Sequence, residues 1–177
     1  MTRRKVLLTT AFGLIVAITT SWANKWIALA DEANQEQAAL AKALGSAKVS
    51  LQQGFIASER EGQPISGKFE VEDGKLQLSV YTAKEGKYFE VIVDHMTGTI
   101  VKVEPITEGE DLAHATSQKK AMEKAKIRLS DATAKARGQV TGVLAVSATP
   151  ELKGDRPAAE VVLLTGARFS EVAEPLD

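Results

Sequence analysis

Lys42-Ala43-Leu44-Gly45-Ser46-Ala47-Lys48-Val49-Ser50-Leu51 recurs, with five identities, as Lys120-Ala121-Met122-Glu123-Lys124-Ala125-Lys126-Ile127-Arg128-Leu129. Leu44 against Met122 and Val49 against Ile127 are conservative exchanges. Each copy runs on to a charged stop ending at glycine, Glu61-Gly62-Gln63 and Arg137-Gly138-Gln139, and alternating segments follow. Self-similarity of this kind reads as two versions of one supersecondary unit. Each version has the order helix, glycine stop, strands.

The helices follow from apolar spacing. Leu40, Leu44, Ala47, Leu51 and Phe55 fall three or four residues apart and make one stripe on a helical period. Gly45 and Gly54 lie inside it, each costing about 1 kcal/mol against Ala. Ser50 and Gln53 have the spacing of a capping box, which predicts a break near Gly45 and a restart at Leu51. Met122, Ala125, Leu129, Ala132 and Ala136 form the corresponding stripe with no internal glycine. Gly62 and Gly138 serve as C-terminal stops.

Strands are expected next. Pro64–Glu72 puts Phe69 and Val71 on one face, and Asp73-Gly74 is a hairpin turn. Lys75–Thr82 alternates, with Leu76, Leu78 and Val80 inward and Lys75, Gln77 and Ser79 outward. Glu85-Gly86 turns the chain into Lys87–Asp94, where Phe89, Val91 and Val93 share a face. A turn over Asp94–Gly98 leads to a short strand, Thr99–Glu104. The second copy predicts strands near Val140–Ala148 and Ala158–Thr165, joined through Pro150–Pro157, and a weak third near Arg168–Val172. A meander with one apolar face needs a cover, which the preceding helix supplies. The connector Pro105–Asp111, rich in Glu and Gly, separates the copies.

The first copy resembles a PepSY domain over residues 49–103. The resemblance rests on Val49-Ser50-Leu51 opening a helix, the Gly62 stop, the strand Ile65–Val71 and Glu72-Asp73-Gly74-Lys75. Its most specific part is Tyr88–Asp94 followed by Thr97-Gly98-Thr99-Ile100-Val101. Residues 127–172 resemble a second, divergent copy that lacks the Asp-x-x-Thr-Gly turn and ends at Pro175-Leu176-Asp177, which leaves its final strand open. The resemblance implies an α+β unit, helix on antiparallel sheet, in exported or cell-envelope proteins, some of them peptidase propeptides proposed to restrain peptidases. It brings no catalytic residues with it, so architecture carries over further than function.

The N-terminus reads as an address. Met1-Thr2-Arg3-Arg4-Lys5 precedes an uncharged run from Val6 to Thr20, and Ala28-Leu29-Ala30 precedes Asp31-Glu32. A basic region, an apolar region and an A-x-A site compose a secretory signal. About 15 apolar residues is short of the roughly 20 a membrane span needs. Cleavage is expected after Ala30, with Ala23 as a second site. An uncleaved anchor with Trp22 and Trp26 at the interface is the alternative. Thr2–Leu7 also resembles the twin-arginine pattern, and the route stays open between that and general secretion.

The whole chain of 177 residues has 22 basic and 23 acidic residues and a net charge of −1. Without residues 1–30 it keeps 18 basic and 23 acidic residues, about −5. A mildly acidic surface disfavours phosphate backbones, so nucleic acid is not an expected partner. The absence of cysteine excludes thiolate metal sites, Cys nucleophiles and disulfides. The two histidines, His95 in a turn and His114 in a first helical turn, read as solvated residues without a nucleophile or metal frame. Glu59, Glu61, Glu70, Glu72, Asp73 and Glu90 read as solvated charge. Glu108, Glu110 and Asp111 suit a helix N-terminus, where the dipole favours acids. Lys42, Lys48, Lys119, Lys120, Lys124 and Lys126 make the outer helix faces basic, read as solvated rather than membrane-bound.

The expected fold is α+β, with tandem units of one amphipathic helix packed on a three- to four-stranded antiparallel sheet. The expected boundaries are 1–30 signal peptide, 31–106 first unit with its preceding helix, and 107–177 second, divergent unit. The expected function is an exported, non-enzymatic protein-binding module, periplasmic or extracellular, with an inner-membrane-anchored form as alternative. Its expected partner is another envelope or secreted protein, a peptidase among them, and membrane contact is expected only for an uncleaved chain. No catalytic, metal or cofactor residue is assigned. The alternative function is a small-molecule or metal-ion binding protein accessory to a membrane system, with a pocket between helix and sheet.

Overall fold

The computed structural model describes residues 23–138 and 141–177. Of the export signal read over residues 1–30, residues 1–22 lie outside them, and the expected cleavage point after Ala30 falls within helix α1, Ala23–Leu44. Among the described residues no helix is long and apolar enough to cross a membrane. Contacts set Gln35–Asp177 apart as one compact unit, which contains everything that follows except the start of α1.

The fold class is α+β, with four α-helices and one seven-stranded antiparallel sheet among the described residues. Helix α1 ends at Leu44, and α2 (Leu51–Ser58) starts where the capping box predicts. Ser50 Oγ accepts from Gln53 N–H while the Gln53 side chain accepts from Ser50 N–H. Strands β1 (Gln63–Glu72), β2 (Lys75–Lys84), β3 (Lys87–Val93) and β4 (Ile100–Ile106) form a meander. Asp73-Gly74 and Glu85-Gly86 each have positive φ at both residues, the mirror-image turn that suits the twist of a two-residue hairpin. Helices α3 (Gly109–Lys124) and α4 (Leu129–Arg137) precede β5 (Val143–Lys153), β6 (Arg156–Thr165) and β7 (Arg168–Pro175). The strand order is β4-β3-β2-β1-β5-β6-β7. The two meanders join edge to edge where β1 meets β5, with Gly67 opposite Ala148 and Lys68 opposite Ser147.

Helices α2 and α4 pack against each other on one face of the sheet. Phe55 of α2 fills the space above Gly67, where a Cβ would come within 2.7 Å of its ring. Leu78, opposite Phe69, and Val80, opposite Gly67, complete this face. Leu51, Phe55, Ile65, Leu78, Val80, Val91 and Val161 are all at most 1% exposed. Burying each such large side chain stabilises the fold by about 1.5–3 kcal/mol.

The opposite face, expected to be solvated, is partly covered by α3. Ser66 Oγ donates to Gln118 Oε1 of that helix at 2.7 Å, and Lys119 Nζ to Gln63 Oε1 at 3.4 Å. Ser79, predicted to point outward, is fully buried there. Alternation fixed the direction of each side chain correctly, but it carried no information about what lies over the second face.

Three further differences have local causes. The second helical stripe breaks between Lys124 and Leu129 although it holds no glycine. Instead of continuing the helix, Lys126 and Ile127 N–H donate to Leu176 O at 2.6 and 3.1 Å. Strand β5 runs through Pro150 to Lys153, and the turn is confined to Gly154-Asp155. Pro150 lies beyond the short pairing with β1, so its missing N–H removes no bond to that neighbour. The third strand of this half is not weak: β7 pairs with β6 from Thr165–Arg168 to Ala158–Pro175.

Candidate functional site: an open sheet edge

A sheet that does not close has two edges, here β4 and β7. An edge strand presents backbone N–H and C=O groups that a further strand can use. The two edges are guarded differently. Helix α4 packs against β7, and Lys135 Nζ reaches Glu174 at 2.7 Å across it. The pairing with β6 continues past β7, with Leu176 fully buried and its N–H bonded to Pro157 O at 3.0 Å.

Among the described residues no helix packs on β4 as α4 does on β7. Val103 pairs with buried Val91 and so lies on the face that carries α2. Helix α2 packs on β1, β2 and β3. Val103 is therefore 38% exposed, and Val101, at an irregularity in the pairing with β3, is 61% exposed. On the face of Val103, Phe89, opposite Pro105, is only half buried. On the other face Lys102 pairs with Glu104 at 2.8 Å. The result is a seven-residue edge with an apolar strip on one side and charge on the other.

The turn that delivers β4 is tightly built. Asp94 Oδ1 accepts from Met96 and Thr97 N–H, both at 2.8 Å, and Gly98 has φ +77°. The two backbone donors hold the Asp94 carboxyl below its ordinary value of 3.8. His95, read as a solvated turn residue, is instead half buried, and its Nδ1 is buried without a hydrogen-bond partner. Its carbonyl accepts from both Lys48 and Val49 N–H, at 2.9 and 3.0 Å. One turn thus fixes both the start of α2 and the approach to β4.

Under α3 lies a polar layer that sequence reading missed. Glu90, assigned to solvent, is 7% exposed, and Tyr81 Oη donates to its Oε1 at 3.5 Å. Glu70 accepts from Ser79 Oγ at 2.9 Å and pairs with Lys68 at 2.6 Å, both side chains about 30% exposed. Burial, then the charges of Glu90, Glu70 and Asp111, push the Tyr81 hydroxyl far above its ordinary value of 10.0. The neutral phenol donates across from β2 to β3. His114 is exposed, as expected. Among the described residues no group of three or more His, Asp or Glu is placed to hold a metal ion.

Comparison of the chain with protein families, with curated proteins and with solved structures gives no match.

Proposed function

We propose that this chain is an exported, non-enzymatic binding protein built from two PepSY-like units, and that it takes an extended segment of another envelope or secreted protein at β4. The observation that carries the reading is the contrast between the two edges. Among the described residues α4 packs beside β7 and Lys135 pairs with Glu174, whereas no helix packs on β4 beside Val101 and Val103. Strand addition would supply main-chain hydrogen bonds, and the apolar strip would select alternate side chains of the incoming segment. A peptidase is the partner class that the PepSY resemblance implies.

The two-unit reading draws support from one repeated device. In each half the residues before the sheet-covering helix donate two successive N–H groups to one carbonyl beyond a strand: Lys48 and Val49 to His95, Lys126 and Ile127 to Leu176. The donors are the aligned positions of the sequence repeat. Export rests on the N-terminal pattern alone, and N-terminal sequencing of the cellular protein tests it: a chain starting at Met1 refutes cleavage.

The binding reading is tested by replacing Val101 and Val103 with Lys. Both are exposed, so the variant should melt with the wild type. A partner that co-purifies from the envelope fraction with the wild type and is lost from the variant is the expected result. Full retention by the variant, or no partner with either, refutes it. Small-molecule binding is a second reading, favoured by a cleft on the helix-bearing face.

A further inference from the structure

The cleft lies between the first turn of α2, the last turn of α4 and the start of β5, and encloses about 260 Å3. Leu51, Phe69, Val143 and Ala145, all buried, give it an apolar floor. Lys48 and Arg137, both exposed, stand at its rim. None of the described residues lining it is acidic, in a chain where acids outnumber bases. Neither cation is in an ion pair with another described residue, whereas most other cations of α3 and α4 have a carboxylate partner.

The backbone adds to this bias. Ser50 and Gln53 cap each other, which leaves the first-turn N–H groups of Leu51 and Gln52 without a partner from the helix itself. Both residues line the cleft. At the opposing end of α4, Gly138 N–H bonds the carbonyls of Ala134 and Lys135, and the Arg137 charge in that turn offsets the negative end of the helix dipole. Thr133 of α4 also lines the cleft, is 1% exposed, and has an Oγ1 with no hydrogen-bond partner.

We propose that this cleft binds a small amphiphilic monoanion, a single carboxylate on an apolar body of medium-chain fatty-acid size. The apolar floor takes the chain, and Lys48, Arg137 and the first turn of α2 take the carboxylate. The volume falls just below the usual range of about 300–1,000 Å3 for ligand pockets, which limits the ligand to a small one. The site is separate from β4, so each can fail without the other.

The test is titration of the isotopically labelled full chain with octanoate, followed by amide NMR, with octyltrimethylammonium and acetate as controls. Saturable shifts centred on residues 48–53, 133–137 and 143–145 are expected with octanoate alone. The K48E/R137E variant should raise the octanoate Kd at least tenfold, while its unliganded spectrum stays that of the folded chain. Equal binding of the cationic amphiphile, shifts centred elsewhere, no saturation below the micelle concentration, or binding to anionic vesicles without binding to free octanoate would each overturn the proposal.

Discussion

Two glycines show what a single residue decides here. Gly54 looked like a cost in a helix, and a Cβ there would lie 2.7 Å from Leu78 Cδ2, a side chain that is fully buried. Gly54→Ala therefore gains helix propensity worth about 1 kcal/mol but overpacks the core. Gly67→Ala gains about 0.5–1 kcal/mol in the strand, but drives Phe55 from its place and brings the new Cβ within 3.3 Å of the Ser79 carbonyl oxygen. We expect Gly67→Ala to destabilise by about 1–3 kcal/mol, and Gly54→Ala by less, read as melting temperatures. Asp94 gives a pH-dependent case. Its carboxyl is held down in the folded chain, so its stabilising effect is present above the ordinary value of 3.8 and disappears as pH falls through the lower folded value. Asp94→Ala should lower the melting temperature at pH 7, and the loss should shrink as the pH is taken progressively below 3.8; a loss that does not change with pH would contradict this role. These residues were legible because turns and caps are local: Asp73-Gly74, Glu85-Gly86 and the Ser50–Gln53 box all sit where the letters put them. Glu90 was not legible, since its partner Tyr81 stands across from it on the neighbouring strand and no local pattern marks that pair as buried.

At the scale of elements, each sheet-covering helix is started by a carbonyl beyond a strand. For α4 that carbonyl belongs to Leu176, the penultimate residue. Nothing in the stripe Met122–Ala136 signals a break, because the competing hydrogen bonds come from the other end of the half. Leu176 is also fully buried. Leu176→Ala should cost about 2–5 kcal/mol, the usual range for a buried Leu. Removal of both Leu176 and Asp177 should cost more, since it also frees the N–H groups of Lys126 and Ile127 and the Arg156 partner of Asp177. Denaturant titration checks both. A C-terminal truncation as stable as the full chain would show that α4 needs no such anchor. The same reasoning explains Pro150: its pattern read as a connector, yet a strand with no neighbour on one side accepts proline there.

For the molecule, the joint between β1 and β5 turns two meanders into one sheet, and no local signal in either strand announces it. It rests on small residues, Gly67 facing Ala148, with α2 against α4 above. Because one core runs through both halves, native-state hydrogen exchange should give the same opening free energy at Val80 in β2 and Val161 in β6. Clearly separate values would mean that the halves unfold independently. Joining through β1 and β5 also decides which edges remain, β4 and β7, and among the described residues only β7 has a helix packed on it. The most direct test of partner recognition places a photo-crosslinking residue in cells at Val101 on β4 or at Glu171 on β7. The account predicts an adduct with one defined protein from position 101, mapping to an extended segment of that protein, and none from position 171. No adduct from position 101, or equal yields from both edges, would contradict it.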